Sequence, residues 1–150
     1  MERRANIGER IALGSDHGGF ELKERLKTVL ADAGCAVTNV GCHSLASVDY
    51  PDIAQALLQT LASGQCQRGI LICGTGIGMS IAANRDRRFI AALCHDEYTA
   101  RMSREHNNAD ILCLGARVIG LGVAEGIVRT WLTTAFAGGR HQTRIDKMRG

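Results

Sequence analysis

"GILICGTGIGMSIAANR", residues 69–85, decides how the whole chain is read. An apolar run, Ile70-Leu71-Ile72, ends in Cys73, and glycines stand at 74, 76 and 78 before a helical pattern begins. Such a run is a strand buried on both faces, the kind from which parallel sheets are made. The glycines let the backbone turn and approach a ligand with no Cβ in the way. Their N–H groups, gathered at a helix start, form a concavity that attracts anions. Cys73 sits at its rim, where the positive end of a helix suits a thiolate. The stretch reads either as a tight strand-to-helix turn with a buried cysteine, or as a thiolate beside a hole for an oxyanion. It is not a dinucleotide fingerprint, because the glycines follow the third strand and have the wrong spacing. Nor is it a phosphate loop, since no Gly-Lys-Ser/Thr follows.

Outward from this stretch, short apolar runs alternate with longer helical ones. Strands are expected at 10–16, 36–40, 68–73, 89–94 and 110–115. Helices are expected at 20–34, 52–64, 77–85, 96–107 and 121–139. Phe20, Leu22, Leu26, Val29 and Leu30 share one face of the first helix, and Gly34 stops it. Five nearly all-apolar strands separated by helices predict an α/β fold. It is a single-domain, doubly wound (Rossmann-like) five-stranded parallel sheet with helices on both faces, over residues 1–150. Residues 1–9 read as an N-terminal extension, 41–51 as a loop and 138–150 as a basic C-terminal tail. Ligands of such sheets bind beyond the carboxyl ends of the strands. That singles out Asp16-His17, Cys73-Gly74 and Cys94-His95.

Composition narrows the function classes. The chain has 150 residues, 45% hydrophobic and 22% charged, ordinary for a globular protein. A formal net charge of +3 is too small to point to nucleic acid and fits a local site for a small anion. The start, "MERRANIGER", has no apolar signal core, and no apolar run approaches the ~18 residues of a membrane span. The six cysteines contain no C-x-x-C pair. A reduced cytoplasmic protein is expected, with no metal and no cofactor.

Other residues carry competing readings. Asp16 and His17 in "GSDHGGF" either cap the following helix or contact a ligand. His106 in "SREHNNAD" is either a partner of the helix dipole or a general acid or base. Arg140 and Arg144 in "GGRHQTR" are four apart: a solvated tail, or, if helical, a clamp on a phosphate. Arg117, after the fifth strand, is a further cation of that kind.

Taken together, "SDHGGFELK", "VDYPD", "GILICGTGIGMSIAANR", "SREHNNADILCLGARV" and "GGRHQTR" resemble the type B ribose-5-phosphate isomerases and the wider ribose/galactose sugar-phosphate isomerase family, from about residue 10 to 145. The resemblance implies a metal-independent aldose–ketose isomerase of the non-oxidative pentose phosphate pathway, interconverting ribose 5-phosphate and ribulose 5-phosphate through a cis-enediolate. It implies Cys73 as the base between C1 and C2, with Gly74, Thr75, Gly76, Ile77 and Gly78 as the anion hole and the Thr75 side chain beside it as a further catalytic group. His106 is implied as the acid/base that opens the furanose, with Asn107 beside it. Asp16 and His17 are implied as sugar contacts, and Arg117, Arg140 and Arg144 as the phosphate cluster. Some family members carry a glutamate base at the position of Gly78; glycine there with Cys73 matches the cysteine-using branch. Relatives act on allose 6-phosphate, galactose 6-phosphate or tetrose phosphates, so another sugar phosphate is an alternative substrate. A non-catalytic sugar-phosphate-binding module is the reading of a different class. The resemblance further implies a homodimer or dimer of dimers with the site at the subunit interface. Trp131 and Phe136, rare aromatics near the chain end, are expected on that interface.

Overall fold

The computed structural model describes residues 8–150. The strands are β1 (Arg10–Ser15), β2 (Ala36–Gly41), β3 (Arg68–Cys73), β4 (Ala91–Leu93) and β5 (Ile111–Gly115). The helices are α1 (Phe20–Asp32), α2 (Tyr50–Ala62), α3 (Ile77–Asn84), α4 (Glu97–Glu105), α5 (Leu121–Thr133) and α6 (Arg140–Arg149). All strand pairs are parallel, in the order β2-β1-β3-β5-β4. The expected doubly wound sheet is therefore present.

Alternation along the strands builds two cores, one per face. Ile70 and Ile72 of β3 face α1, α4 and α5, with Leu26, Leu30, Ile127, Val128 and Trp131. Leu71 and Cys73 face α2 and α3, with Leu57, Leu58, Met79 and Ala83. At about 1.5–3 kcal/mol for each buried large aliphatic side chain, both faces contribute heavily to stability.

The chain order reverses between β1 and β3: β2 is added on one side of β1, β3 on the other. At that switch point the carboxyl ends of β1 and β3 lie side by side, with Ser15 opposite Ile72 and the Asp16 N–H donating to the Ile72 carbonyl at 3.1 Å. Doubly wound sheets open their binding crevice there.

Several boundaries differ from expectation. Helix α2 starts at Tyr50 rather than residue 52, with Pro51 in its first turn, where a missing N–H costs nothing. Helix α5 ends at Thr133 rather than 139, because Thr134 is extended; Gly138 and Gly139, both at positive φ, instead turn the chain into α6. The basic tail is thus helical, docked by His141 and Ile145 four residues apart. Two anchoring positions are too few to give a periodic signal. The expected extension over 1–9 lies mostly outside the described residues. Its last members belong to the fold: Gly8 donates to the Gly34 carbonyl, and Glu9 pairs with Arg68 at 2.6 Å.

That ion pair corrects the reading of Trp131. Arg68 lies 4.4 Å above the indole and donates to the Trp131 and Leu132 carbonyls at the end of α5. Trp131 is 0% exposed within one chain and so cannot furnish an interface; Phe136 is half-buried.

At the far edge of the sheet, the side-chain amide of Asn84 both donates to the Ala91 carbonyl and accepts from its N–H, each at 2.9 Å. On the other edge, Lys23, fully buried, donates to Asn39 Oδ1, which also accepts the Gly41 N–H and so sets the exit of the chain from β2 into the 42–49 loop.

Candidate active site

The glycine turn is held by its own short side chains. The Gly76 N–H donates to Cys73 Sγ at 3.1 Å, and the Ile77 N–H donates to Thr75 Oγ1 at 3.2 Å. Gly76 has φ +78°, and a Cβ there would stand 2.5 Å from Leu93 and 2.9 Å from the Leu114 backbone, so only glycine fits. With those two N–H groups committed, the N–H groups of Gly74, Thr75 and Gly78 have no backbone acceptor and remain for a ligand oxygen. Arg117 closes one side: its N–H donates to the Gly74 carbonyl at 2.9 Å, and its side chain lies against Gly74.

The turn after β1 closes the other side. A Cβ on Gly18 would be 3.6 Å from the Gly74 nitrogen, so the two turns touch. Asp16 Oδ1 accepts the Gly19 N–H at 3.2 Å, the capping role weighed from the sequence. His17 Nδ1 accepts the Val48 N–H at 3.2 Å. When neutral, that imidazole therefore carries its proton on Nε2, a donor for a ligand oxygen. Cys73, Thr75, the glycines, Asp16, His17 and Arg117 are thus brought together at the switch point.

His106, Asn107, Arg140 and Arg144 are not among them. Helix α4 starts beyond β4 and carries the chain back to the amino edge of the sheet, where His106 ends it just before β5 begins. Helix α5 makes the same return and delivers α6 to that edge. The Ala137 N–H donates to the Glu105 carbonyl, joining the α5–α6 connection to the end of α4. His106, Asn107, His141, Arg144, Ile145 and Met148 line a cavity of about 240 Å³ there. Arg140 heads the same helix but is exposed and outside the lining. The two clusters stand at opposite ends of β5, a strand about 16 Å long at ~3.3 Å per residue.

Two residues with no role in the sequence reading stand at these clusters. The Tyr50 ring covers Gly78, within 2.6 Å of where a Cβ would sit, and fills the space of a side chain at that position. Its only signal was its place in "VDYPD". His141 stacks on His106, ring centroids 4.2 Å apart. The other cysteines are packing groups. All six are free, and burial pushes the Cys35, Cys94 and Cys113 thiols up from their ordinary value. Among the described residues no group of three or more His, Cys, Asp or Glu side chains is placed to hold a metal ion, and no helix is long and apolar enough to cross a membrane.

A parallel doubly wound sheet with a thiol and bare backbone N–H groups at its switch point is the frame of a protein that binds a small anion. Residues 11–148 match the family described as Ribose/Galactose Isomerase, and the chain belongs to that family. The solved structure of Clostridium thermocellum ribose-5-phosphate isomerase B is 51% identical, with a TM-score of 0.91 over 93% of this chain and 95% of that one. Ribose-5-phosphate isomerase B of Escherichia coli (strain K12) is 43% identical over 92% of this chain and 93% of its own length. The D-erythrulose-4-phosphate isomerase of Pectobacterium atrosepticum is 41% identical over 92% and 91%.

Proposed function

We propose that this chain is a cytoplasmic aldose–ketose isomerase that interconverts D-ribose 5-phosphate and D-ribulose 5-phosphate, with each site built from two copies. The observation that carries this is the division of its functional groups between the two edges of one sheet. In the reading, His106 takes the proton from the anomeric hydroxyl and a proton is returned to the ring oxygen, which opens the furanose. Cys73 then removes the C2 proton of the aldose. The electron pair moves into the C1–C2 bond, and the C1 oxygen becomes an enediolate oxygen facing the free N–H groups of Gly74, Thr75 and Gly78. Such donors contribute roughly 3–4 kcal/mol each. The C2 hydroxyl then gives up its proton as the C1 oxygen gains one, and return of the carbon-bound proton from Cys73 to C1 leaves the C2 carbonyl and C1 hydroxyl of the ketose. Tyr50 and the His17 Nε2 proton border the sugar, and Arg117, Arg140 and Arg144 hold the phosphate.

A second copy supplies what one chain leaves at its amino edge: His106, Asn107 and the α6 arginines. Ile77 and Ile81, one turn apart on α3, are 51% and 61% exposed and adjoin the glycine turn, so the partner would seat on that face. A tetrose phosphate is the second substrate reading, favoured by the Pectobacterium relative; kcat/KM across four-, five- and six-carbon sugar phosphates decides between them.

Co-refolding Cys73→Ala with His106→Ala tests the shared site. Half the dimers would be mixed and each would have one intact site, so activity should recover to about a quarter of wild type. No recovery, with mixed dimers confirmed by native mass spectrometry, would mean that each subunit builds its site alone.

A further inference from the structure

His141 has no part in the reading above, yet it is one of the few polar side chains that the fold buries, at 8% exposed. It is the second residue of α6 and lies flat on His106, with ring planes 12° apart and centroids at 4.2 Å. Both rings line the 240 Å³ cavity together with Asn107 and Arg144. His106 is exposed at the end of α4, and its backbone is tied by one bond to the Met102 carbonyl at 2.8 Å. A side chain in that position samples several rotamers unless something packs against it. Among the described residues the ring that does so is His141.

We propose that His141 is a positioning residue for His106: its ring is the platform that fixes the plane of the His106 imidazole and aims it into the cavity. The proposal rests on the reading of His106 as the group that opens the sugar ring. The charged and titratable groups facing His141 are Arg140 and Arg144 on its own helix and Glu105 and His106 at the end of α4. Burial, then His106, then the two arginines hold the His141 imidazole below the ordinary histidine value, with Glu105 opposing. Near neutral pH it is uncharged. An uncharged aromatic face accepts a cation above it, so it tolerates the imidazolium that forms on His106 during ring opening. A charged one would repel it.

The experiment compares wild type, His106→Ala, His141→Ala and His141→Phe as full-length chains. It reads kcat and KM on ribose 5-phosphate and the proton NMR shifts of the His106 ring. His141→Ala should lower kcat roughly 10–100-fold with KM changed by less than about twofold, the pattern of a misaimed reacting group. His141→Phe keeps the stack without titrating and should return kcat to within about threefold of wild type. The His106 ring protons should be shifted upfield in wild type and in His141→Phe, and lose that shift in His141→Ala. If His141→Ala does not fold, His141→Gln takes its place. Wild-type kcat in the ringless variant would overturn the proposal. So would His141→Phe matching the ringless variant with a raised KM, which would make His141 a direct contact of the phosphate. Wild-type kcat in His106→Ala would bring down the ring-opening reading itself, a result distinct from either.

Discussion

The two edges of the sheet are built from different materials. At the carboxyl edge the candidate site is set by backbone: glycines at 74, 76 and 78, N–H groups, and short side chains held within two or three residues of themselves. At the amino edge it is set by long or aromatic side chains from two distant helices, α4 and α6, which meet only because the fold brings them there. A site made of local backbone is fixed once its strand and turn are fixed. A site made of tertiary contacts depends on whatever anchors its helices.

The sharpest test of the contrast is Cys73→Ala. It removes one atom from the carboxyl edge and should lower kcat by about 10²–10⁴ or more while the fold survives. Near-wild-type kcat would empty that edge of its chemistry. Next comes the anchor of the amino edge. Glu9→Ala leaves Arg68 buried without its partner and should cost about 3–5 kcal/mol in urea unfolding. A cost below about 1 kcal/mol, the range of a surface pair, would mean that the end of α5 does not depend on it. Arg144→Ala should reduce kcat/KM by the equivalent of about 1.5–3 kcal/mol, part of it in kcat. Arg140→Ala, outside the cavity lining, should do less, and equal losses would redraw the phosphate site.

The smallest effect is on stability against pH. The folded His141 binds its proton less readily than the unfolded one, so the unfolded chain takes up more protons on acidification. Tm should therefore fall as pH drops below about 6.5, the unfolded histidine value. The fall should be shallower in His141→Phe. An unchanged slope would remove His141 from the acid response.

The same contrast explains what the sequence revealed. Ile70 to Gly78 declares strand, turn and helix in nine consecutive residues, each obeying a local steric rule. The grouping of Asp16 and Cys73 then followed from where strands end, whereas Arg117, read with Arg140 and Arg144 as a phosphate cation, lies against Gly74 instead. The amino edge was opaque because its partners lie far apart in sequence. Helix α6 has only His141 and Ile145 to dock it, and Trp131 looked like surface although it packs in the core under Arg68, 63 residues away, which Glu9 holds in turn. The distance between His106 and Cys73 is a property of chain direction, legible only once the helix returning from each strand is drawn.

Asn84 has a consequence for how copies of this chain can meet. A parallel sheet with an open outer strand invites another strand to zip onto it, and such growth has no natural end. Here the outward N–H and carbonyl of Ala91 are already satisfied by a side-chain amide that mimics the next strand but cannot be extended. At Ala91 the edge is closed to a further strand. A second copy cannot extend the sheet through Ala91, so association at that position falls to other surfaces of the chain.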